Sequence, residues 1–114
     1  MKKASKTEIE EITDLLIKFR DERNWEQFHN SKDLALALSI EAAELNELFL
    51  WKGAEDVNVG KLKEELADVI IYALLLAKKH DLDIRDIILN KIRTNEEKYP
   101  AEKSRNSAKK YSEL

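Results

Sequence analysis

The sequence predicts an all-α fold, a four-helix bundle formed by a single domain. Only two Gly and one Pro occur among its 114 residues, too few for the closely spaced turns of a β-sandwich or barrel. Apolar residues instead recur at intervals of three and four, which is the period of an amphipathic helix. Because 43% of the residues are hydrophobic, the chain can bury a core, and its length suits one domain spanning residues 1–114.

The first two helices follow from this spacing and from capping residues. One apolar stripe predicts a helix over residues 7–24, and it consists of Ile9, Ile12, Leu16 and Phe19. An aperiodic aromatic loop follows. Ser31 or Asp33 can then cap a second helix, which runs to about Trp51 because Gly53 follows as a stop signal.

The remaining chain predicts two more helices and a tail. The third helix covers residues 61–79. Asp83 can cap the fourth helix, which ends near Tyr99 because Pro100 cannot continue it. Residues 100–114 show no apolar period and are expected to form an extended C-terminal tail.

The third helix is apolar on every side between residues 69 and 77, where it reads VIIYALLLA. Such a helix must be covered all round, so we expect a homo-oligomer. The rows expected in the core of one chain are Leu66, Val69, Ala73 and Leu76. The rows expected at a subunit contact are Ile70, Ile71, Leu74 and Leu75. The alternative is that the other helices and the tail cover this helix within one chain.

Four carboxylates interrupt the apolar rows of the second and third helices, namely Glu41, Glu44, Glu65 and Asp68. Members of each pair are three residues apart and project from one helix face. Buried carboxylates repel one another and are costly to desolvate, so a cation is expected among them. Carboxylate ligands suit Mg²⁺, with Mn²⁺ as a substitute, better than zinc. The alternative is that these acids lie at the margin of the apolar stripes and face water.

Charge and hydropathy restrict the possible partners. The net charge of −3 argues against a nucleic-acid polymer. The longest apolar run is far shorter than the roughly 20 residues that span a bilayer, and the absence of Cys excludes disulfides and thiol catalysis. The N-terminal segment is polar and has no signal-peptide hydrophobic region. A cytoplasmic protein without a membrane partner is therefore expected.

The motif Glu41-Ala-Ala-Glu44, followed later by Glu65-Leu-Ala-Asp68, resembles the ExxE…ExxD signature of the MazG-like nucleotide pyrophosphohydrolases. Further segments resemble the dCTP pyrophosphatase branch, and they cover residues 23–29, 47–52, 68–72, 99–101 and 110–114. The resemblance implies an all-α enzyme that uses Mg²⁺ to hydrolyse a nucleoside triphosphate to the monophosphate and pyrophosphate in nucleotide-pool control. It favours a deoxynucleotide such as dCTP, and it implies a dimer or tetramer with sites near subunit boundaries.

The same resemblance implies roles for individual residues. The four carboxylates become metal ligands, and Trp25 and Trp51 belong to the nucleoside pocket. The residues expected near the sugar and the phosphates are Tyr72, Lys91 and Asn95. Considered without the resemblance, the Trp rings can also fill a core, and Lys91 and Asn95 can form a solvated helix face.

Two residue roles and the function itself stay open at the level of sequence. His29 is a candidate substrate-binding residue or a loop residue bonded to the backbone. Either Glu41 or Glu44 can be the catalytic base. Leu16 stands where the vertebrate dCTP enzymes have a His, which predicts relaxed base selectivity. The competing function is that of a non-catalytic oligomeric helical adaptor with a structural metal ion.

Overall fold

The computed structural model describes residues 5–114, and this part of the chain is built from helices and short turns. The helices are α1 (Glu8–Glu22), α2 (Ser31–Glu47), α3 (Val59–Lys79), α4 (Ile84–Lys98) and α5 (Ala101–Ser104). Two 3₁₀ turns complete the regular structure, Glu26–Phe28 and Tyr111–Glu113. No strand occurs within residues 5–114. The predicted all-α class and its four long helices are confirmed.

Each long helix begins after a side chain that caps it, and the caps are Thr7, Asn30, Asn58 and Asp83. Asp83 is the predicted cap of α4, and its Oδ1 accepts the Asp86 N–H at 3.1 Å. The prediction of Ser31 or Asp33 as the cap of α2 is wrong, because Asn30 Oδ1 accepts the Asp33 N–H at 2.8 Å. An amide side chain before the helix thus satisfies an N–H that has no partner within the helix.

The end of α2 differs from the prediction. The helix stops at Glu47 rather than near Trp51, and a turn follows in which Trp51 adopts a left-handed backbone with φ of 63°. That conformation costs a residue with a Cβ roughly 1–2 kcal/mol. Gly53, the predicted stop signal, does not have a positive φ. The turn that follows α2 therefore has its left-handed residue at Trp51 rather than at a glycine.

The chain divides into two compact units, and the first ends at Leu82. Within this unit α1 and α2 both pack against α3. The start of α2 meets the residue that follows α3, where Ser31 Oγ and His80 Nε2 form a 2.8 Å hydrogen bond. Since one end of α2 is joined to the opposite end of α3, the two helices run antiparallel.

The buried side chains of this unit lie on α2 and α3, and they are Leu34, Leu74, Leu75 and Ala77. Leu74 and Leu75 belong to the core of one chain, so their expected place at a subunit contact is wrong. Leu66, expected in the core, is 44% exposed, and Ile70 is 50% exposed. The face of α3 that packs within the chain is therefore rotated from the one that the spacing predicts, and part of its apolar surface stays uncovered.

The second unit, Asp83–Leu114, contains α4 and the C-terminal segment. α4 ends just before Tyr99, as predicted. The segment that follows is not fully extended, because it forms α5 and the second 3₁₀ turn. Tyr111 packs edge-to-face on Tyr99 with ring centroids 6.0 Å apart, and Lys98 Nζ lies 5.1 Å from the Tyr111 ring centroid. Aromatic contacts thus fold this segment back onto the end of α4.

Among residues 5–114, no helix is both long enough and apolar enough to cross a lipid bilayer. Even α3, with 21 residues the longest helix described, carries charged side chains near both of its ends.

Candidate active site

Three carboxylates meet where α2 faces α3. Glu41 and Glu44 lie one turn apart on α2, and Glu65 projects from α3. One carboxylate oxygen of each residue lies within 4.8 Å of the others. We call these three residues the acidic cluster. The helical period places Glu41 and Glu44 on one face, and the packing of α2 on α3 brings that face to Glu65.

Two carboxylate oxygens of the acidic cluster are buried and lack a hydrogen-bond partner among the described residues. They are Glu41 Oε2 and Glu65 Oε2. Desolvation, together with the charges of Glu44, Asp68 and Glu65, raises the pKa of Glu41 to about 7. Burial, followed by the charge of Glu44, also raises the pKa of Glu65. Both shifts have the sign expected for carboxylates crowded together away from water.

Asp68 lies one turn beyond Glu65 on α3 and connects the acidic cluster to a neighbouring cavity. Its charge contributes to the raised pKa of Glu41, and its side chain lines the cavity. It is outside the group whose oxygens approach within 4.8 Å. The four expected metal ligands are therefore arranged as a close triad with Asp68 at the edge.

The acidic cluster suits a hard divalent cation. It offers only oxygen ligands, which is the donor set that such cations prefer. Two of its oxygens are buried without a partner among the described residues, and a cation would satisfy them and offset the repulsion between the carboxylates. The acidic cluster can therefore bind a metal ion.

A cavity of about 320 Å³ opens beside the acidic cluster, between α1, α3 and the loop that follows α1. Its apolar lining consists of Leu16, Phe19, Trp25, Ile71 and Leu75. Its polar lining consists of Arg20, His29, Asp68 and Tyr72. We call it the aromatic cavity, because Phe19 and Trp25 form one wall with their rings edge-to-face at 5.8 Å and 75°. A mainly apolar cavity with a few polar side chains is typical of a small-molecule site.

α3 supplies one continuous row of side chains to both parts of the site. The row begins in the acidic cluster and ends in the apolar lining of the cavity, and it consists of Glu65, Asp68, Tyr72 and Leu75. These positions are three and four residues apart and share one face of the helix. A ligand that follows this face meets carboxylates first and an apolar wall second.

Arg20 and His29 are two of the four polar side chains that line the aromatic cavity. The Arg20 side chain is only 13% exposed, and its Nη2 pairs with Asp21 at 2.8 Å and with Glu26 at 3.5 Å. Burial, together with the charges of Arg20 and Lys79, lowers the pKa of His29, which favours the neutral imidazole. Its buried Nδ1 has no hydrogen-bond partner among the described residues. A ligand in the cavity can supply that partner.

The structure brings only some of the other predicted site residues together. The aromatic cavity collects Trp25, His29 and Tyr72. Trp51 is not among the described residues that line this cavity, and it is 94% exposed. Lys91 and Asn95 lie in the second unit, one turn apart on α4, and both are exposed.

Four lining residues are absent from the predicted site, namely Phe19, Arg20, Ile71 and Leu75. Phe19 and Leu16 belong to the predicted apolar stripe of α1, which the spacing alone assigns to a core. The sequence therefore contained a signal for these two positions, namely their place in the apolar stripe. A hydrophobic period indicates which face of a helix is apolar, but it does not indicate whether protein or ligand covers that face.

Comparisons with known proteins agree at the level of family, sequence and structure. Residues 36–114 match the MazG-like family. The chain is 40% identical over 119 residues to dCTP pyrophosphatase 1 of Bos taurus, across 97% of this chain and 70% of the relative. The chain is 41% identical over 114 residues to dCTP pyrophosphatase 1 of Homo sapiens, across 93% of this chain and 67% of the relative. A crystal structure of a pyrophosphatase from Archaeoglobus fulgidus is similar with a TM-score of 0.78 and 36% identity, covering 88% of this chain and 99% of that chain.

The raised pKa of Glu41 generates a prediction about the metal-free protein. The pKa of about 7 in the folded chain exceeds the ordinary value of 4.5, so the folded chain binds this proton more tightly than the unfolded chain. The resulting stabilisation is present at pH values below 4.5 and is lost as the pH rises through 7. Glu41→Gln, which cannot ionise, should therefore raise the Tm relative to the wild type by roughly 2–5 °C at high pH and by little at low pH.

The measurement is thermal unfolding in EDTA, followed by circular dichroism, from mildly acidic to mildly alkaline pH. Differences between variant and wild type are compared because His29, whose pKa is lowered, contributes a slope of opposite sign. Glu22→Gln, which alters an exposed acid on α1, is the matched control and should give no pH-dependent difference. A Glu41→Gln difference that shrinks as the pH rises would contradict the electrostatics of the acidic cluster.

Proposed function

The chain belongs to the MazG-like family, and on this premise we propose that it is a Mg²⁺-dependent nucleoside triphosphate pyrophosphohydrolase. Its reaction converts a deoxynucleoside triphosphate and water to the monophosphate and pyrophosphate, with dCTP or a related deoxynucleotide as substrate, in nucleotide-pool control. The observation that carries the proposal is the acidic cluster beside the aromatic cavity, with Asp68 shared between them. The relatives named dCTP pyrophosphatase 1 support the choice of substrate.

The proposed metal ligands are the three residues of the acidic cluster together with Asp68. Their oxygen-only donor set favours Mg²⁺, and Mn²⁺ accepts the same ligands. When bound, the cation supplies Lewis acidity for hydrolysis at phosphorus and offsets the charge of the triphosphate. The buried, unpartnered oxygens of Glu41 and Glu65 support this assignment.

The other residues of the site bind and orient the substrate in our proposal. The ring of Trp25 stacks on the base, which typically contributes ~1–3 kcal/mol, and His29 bonds to the nucleoside. Tyr72 follows Asp68 on the same face of α3 and contacts the sugar. Glu41 or Glu44 accepts the proton of the attacking water.

Lys91 and Asn95 are proposed phosphate and sugar ligands. Their shared, exposed face on α4 leaves both side chains open to a ligand. We further propose that residues 1–114 act as one functional domain. The support is the match to the MazG-like family over residues 36–114, which runs through the boundary at Leu82.

We also propose that the protein is a homo-oligomer, a dimer or a tetramer. The support is the large apolar side chains of the first unit that one chain leaves exposed, among them Ile40, Leu50, Trp51, Leu66 and Ile70. Soluble monomers rarely expose large apolar patches, and a subunit contact would cover these side chains. Each such side chain contributes about 1.5–3 kcal/mol when fully buried. Trp51, which is predicted for the nucleoside pocket, is not among the described residues that line the cavity of its own chain, and in our proposal it lies at a subunit contact.

Pyrophosphate release from dCTP is the test of the proposed activity. The wild type should release pyrophosphate with Mg²⁺ and none with EDTA. Glu41→Gln and Asp68→Asn should each lower kcat by at least about 10³-fold, because each removes a ligand oxygen that the proposed cation needs. Both variants should keep the helical circular dichroism of the wild type.

Glu22→Gln is the control and should keep full activity. Metal-dependent stabilisation without turnover, measured as a rise in Tm with Mg²⁺, would instead favour the non-catalytic adaptor with a structural ion. Near wild-type activity in either carboxylate variant would contradict the assigned ligands.

Base selectivity is expected to be broad because most of the cavity wall is apolar. Leu16 offers no hydrogen bond, and Arg20 is tied to Asp21 and Glu26, which leaves His29 with few other polar groups to distinguish one base from another. Discrimination of 10³-fold or more usually needs specific hydrogen bonds to the base. We therefore expect kcat/KM values across the four common dNTPs to span less than about 10³-fold. Leu16→Asn, which adds donors and an acceptor to the wall, should change the ranking of the bases. A single strongly preferred base in the wild type would contradict this prediction.

The oligomeric state is tested by light scattering at low micromolar concentration. The mass should be a multiple of the 13.3 kDa chain. Ile70→Lys places a charge on the exposed apolar face of α3 and should shift the mass toward that of one chain, because an unpaired charge resists burial. Lys63→Gln, which alters an exposed residue of the same helix, should leave the mass unchanged. A fully active wild-type monomer would overturn the proposal.

A further inference from the structure

Arg23 contacts both rings of the wall of the aromatic cavity. It follows α1 as the C-cap residue, and its Nη1 donates to the backbone oxygen of Phe19 at 2.9 Å. The same guanidinium lies over the Phe19 ring, with Cζ 3.6 Å from the centroid. Its distance to the Trp25 ring centroid is 5.9 Å. One side chain therefore contacts the end of α1 and both rings of the wall.

Arg23 is not among the described residues that line the aromatic cavity, whereas Phe19 and Trp25 both line it. The guanidinium therefore contacts both rings without itself lining the cavity. Both rings are nearly half exposed, and exposed side chains change rotamer on the picosecond to nanosecond timescale. Contact with Arg23 restricts that motion, and the guanidinium takes no place in the cavity lining.

We propose that Arg23 is a positioning residue for base stacking, acting through Phe19 and Trp25. The inference rests on the proposed function, because it takes the ligand of the cavity to be a nucleobase. A ring held in place before binding loses little freedom when a base stacks on it. Loss of Arg23 therefore weakens ground-state binding and leaves the hydrolytic step, which takes place at the acidic cluster, unaltered.

The geometry requires arginine rather than any cation. A guanidinium is planar and can lie over an aromatic ring while one of its N–H groups donates elsewhere, as it does here to the carbonyl of Phe19. A lysine ammonium is a compact, strongly hydrated charge and cannot cover a ring in the same way. A lysine at this position keeps the positive charge, but it should not hold the two rings in place as Arg23 does.

The test compares Arg23→Gln and Arg23→Lys with the wild type in steady-state kinetics with dCTP. Both variants should raise KM by about three- to tenfold, the cost expected for ordering one or two side chains on binding. Neither should change kcat by more than about twofold. Lys18→Gln, which alters an exposed cation of α1 outside this contact, is the matched control and should change neither constant. Unchanged KM in both Arg23 variants, or loss of kcat with KM unchanged, would overturn the inference.

A second readout does not depend on turnover. In a Trp51→Phe background the remaining Trp25 reports alone, and its time-resolved fluorescence anisotropy should show greater rotational freedom in Arg23→Gln than in the Arg23 parent. Equal freedom in the two proteins would overturn the inference. If the wild type neither binds nor hydrolyses any dNTP, the proposed function fails instead, and the anisotropy still reports whether Arg23 holds the ring. Circular dichroism verifies that each variant is folded.

Discussion

The packing of α2 against α3 is the interaction on which the rest of the molecule depends. It brings Glu41 and Glu44 to Glu65, and the repulsion among these groups opposes the packing itself. The opposing free energy comes from the apolar contacts of the same two helices, where Leu34, Leu74 and Leu75 are buried. Such a cluster persists only where its surroundings hold it in place. The metal-free protein therefore stores electrostatic strain that a cation bound there would relieve, and stability would then compete with metal binding within one helix pair.

The layout of the site follows from the period of a single helix. Residues of α3 at intervals of three and four form a row that changes from carboxylate to aromatic to aliphatic side chains. A rigid helix fixes these groups at set separations along its axis, so a ligand with a charged end and an apolar end has one orientation that satisfies both. α1 and its following loop then need only close the apolar end, which they do with Phe19, Trp25 and His29.

Much of this architecture can be predicted from the sequence, and the features that cannot be predicted have physical reasons. The cap and the stop of α4, Asp83 and Pro100, are where the sequence puts them, whereas the cap and the stop predicted for α2 are not. The carboxylate pairs stand out because apolar rows break at their positions. Sequence periodicity did not identify which apolar rows of α3 pack within the chain, since a helix that is apolar on all sides offers no preferred face. It also could not separate Leu16 and Phe19 from the core, because a cavity wall and a core have the same composition.

The antiparallel arrangement of α2 and α3, tied at one end by Ser31 and His80, has a consequence for how the site tolerates changes in length. The register between the carboxylate pairs is set by side-chain packing, and the connector between the helices only has to span the gap. Doubling the length of a flexible connector costs only about 0.6 kcal/mol in loop-closure entropy. One residue inserted between Glu41 and Glu44, by contrast, turns the second carboxylate about 100° around the helix axis and away from Glu65. The site is thus insensitive to insertions in the loop and intolerant of a single one within either helix.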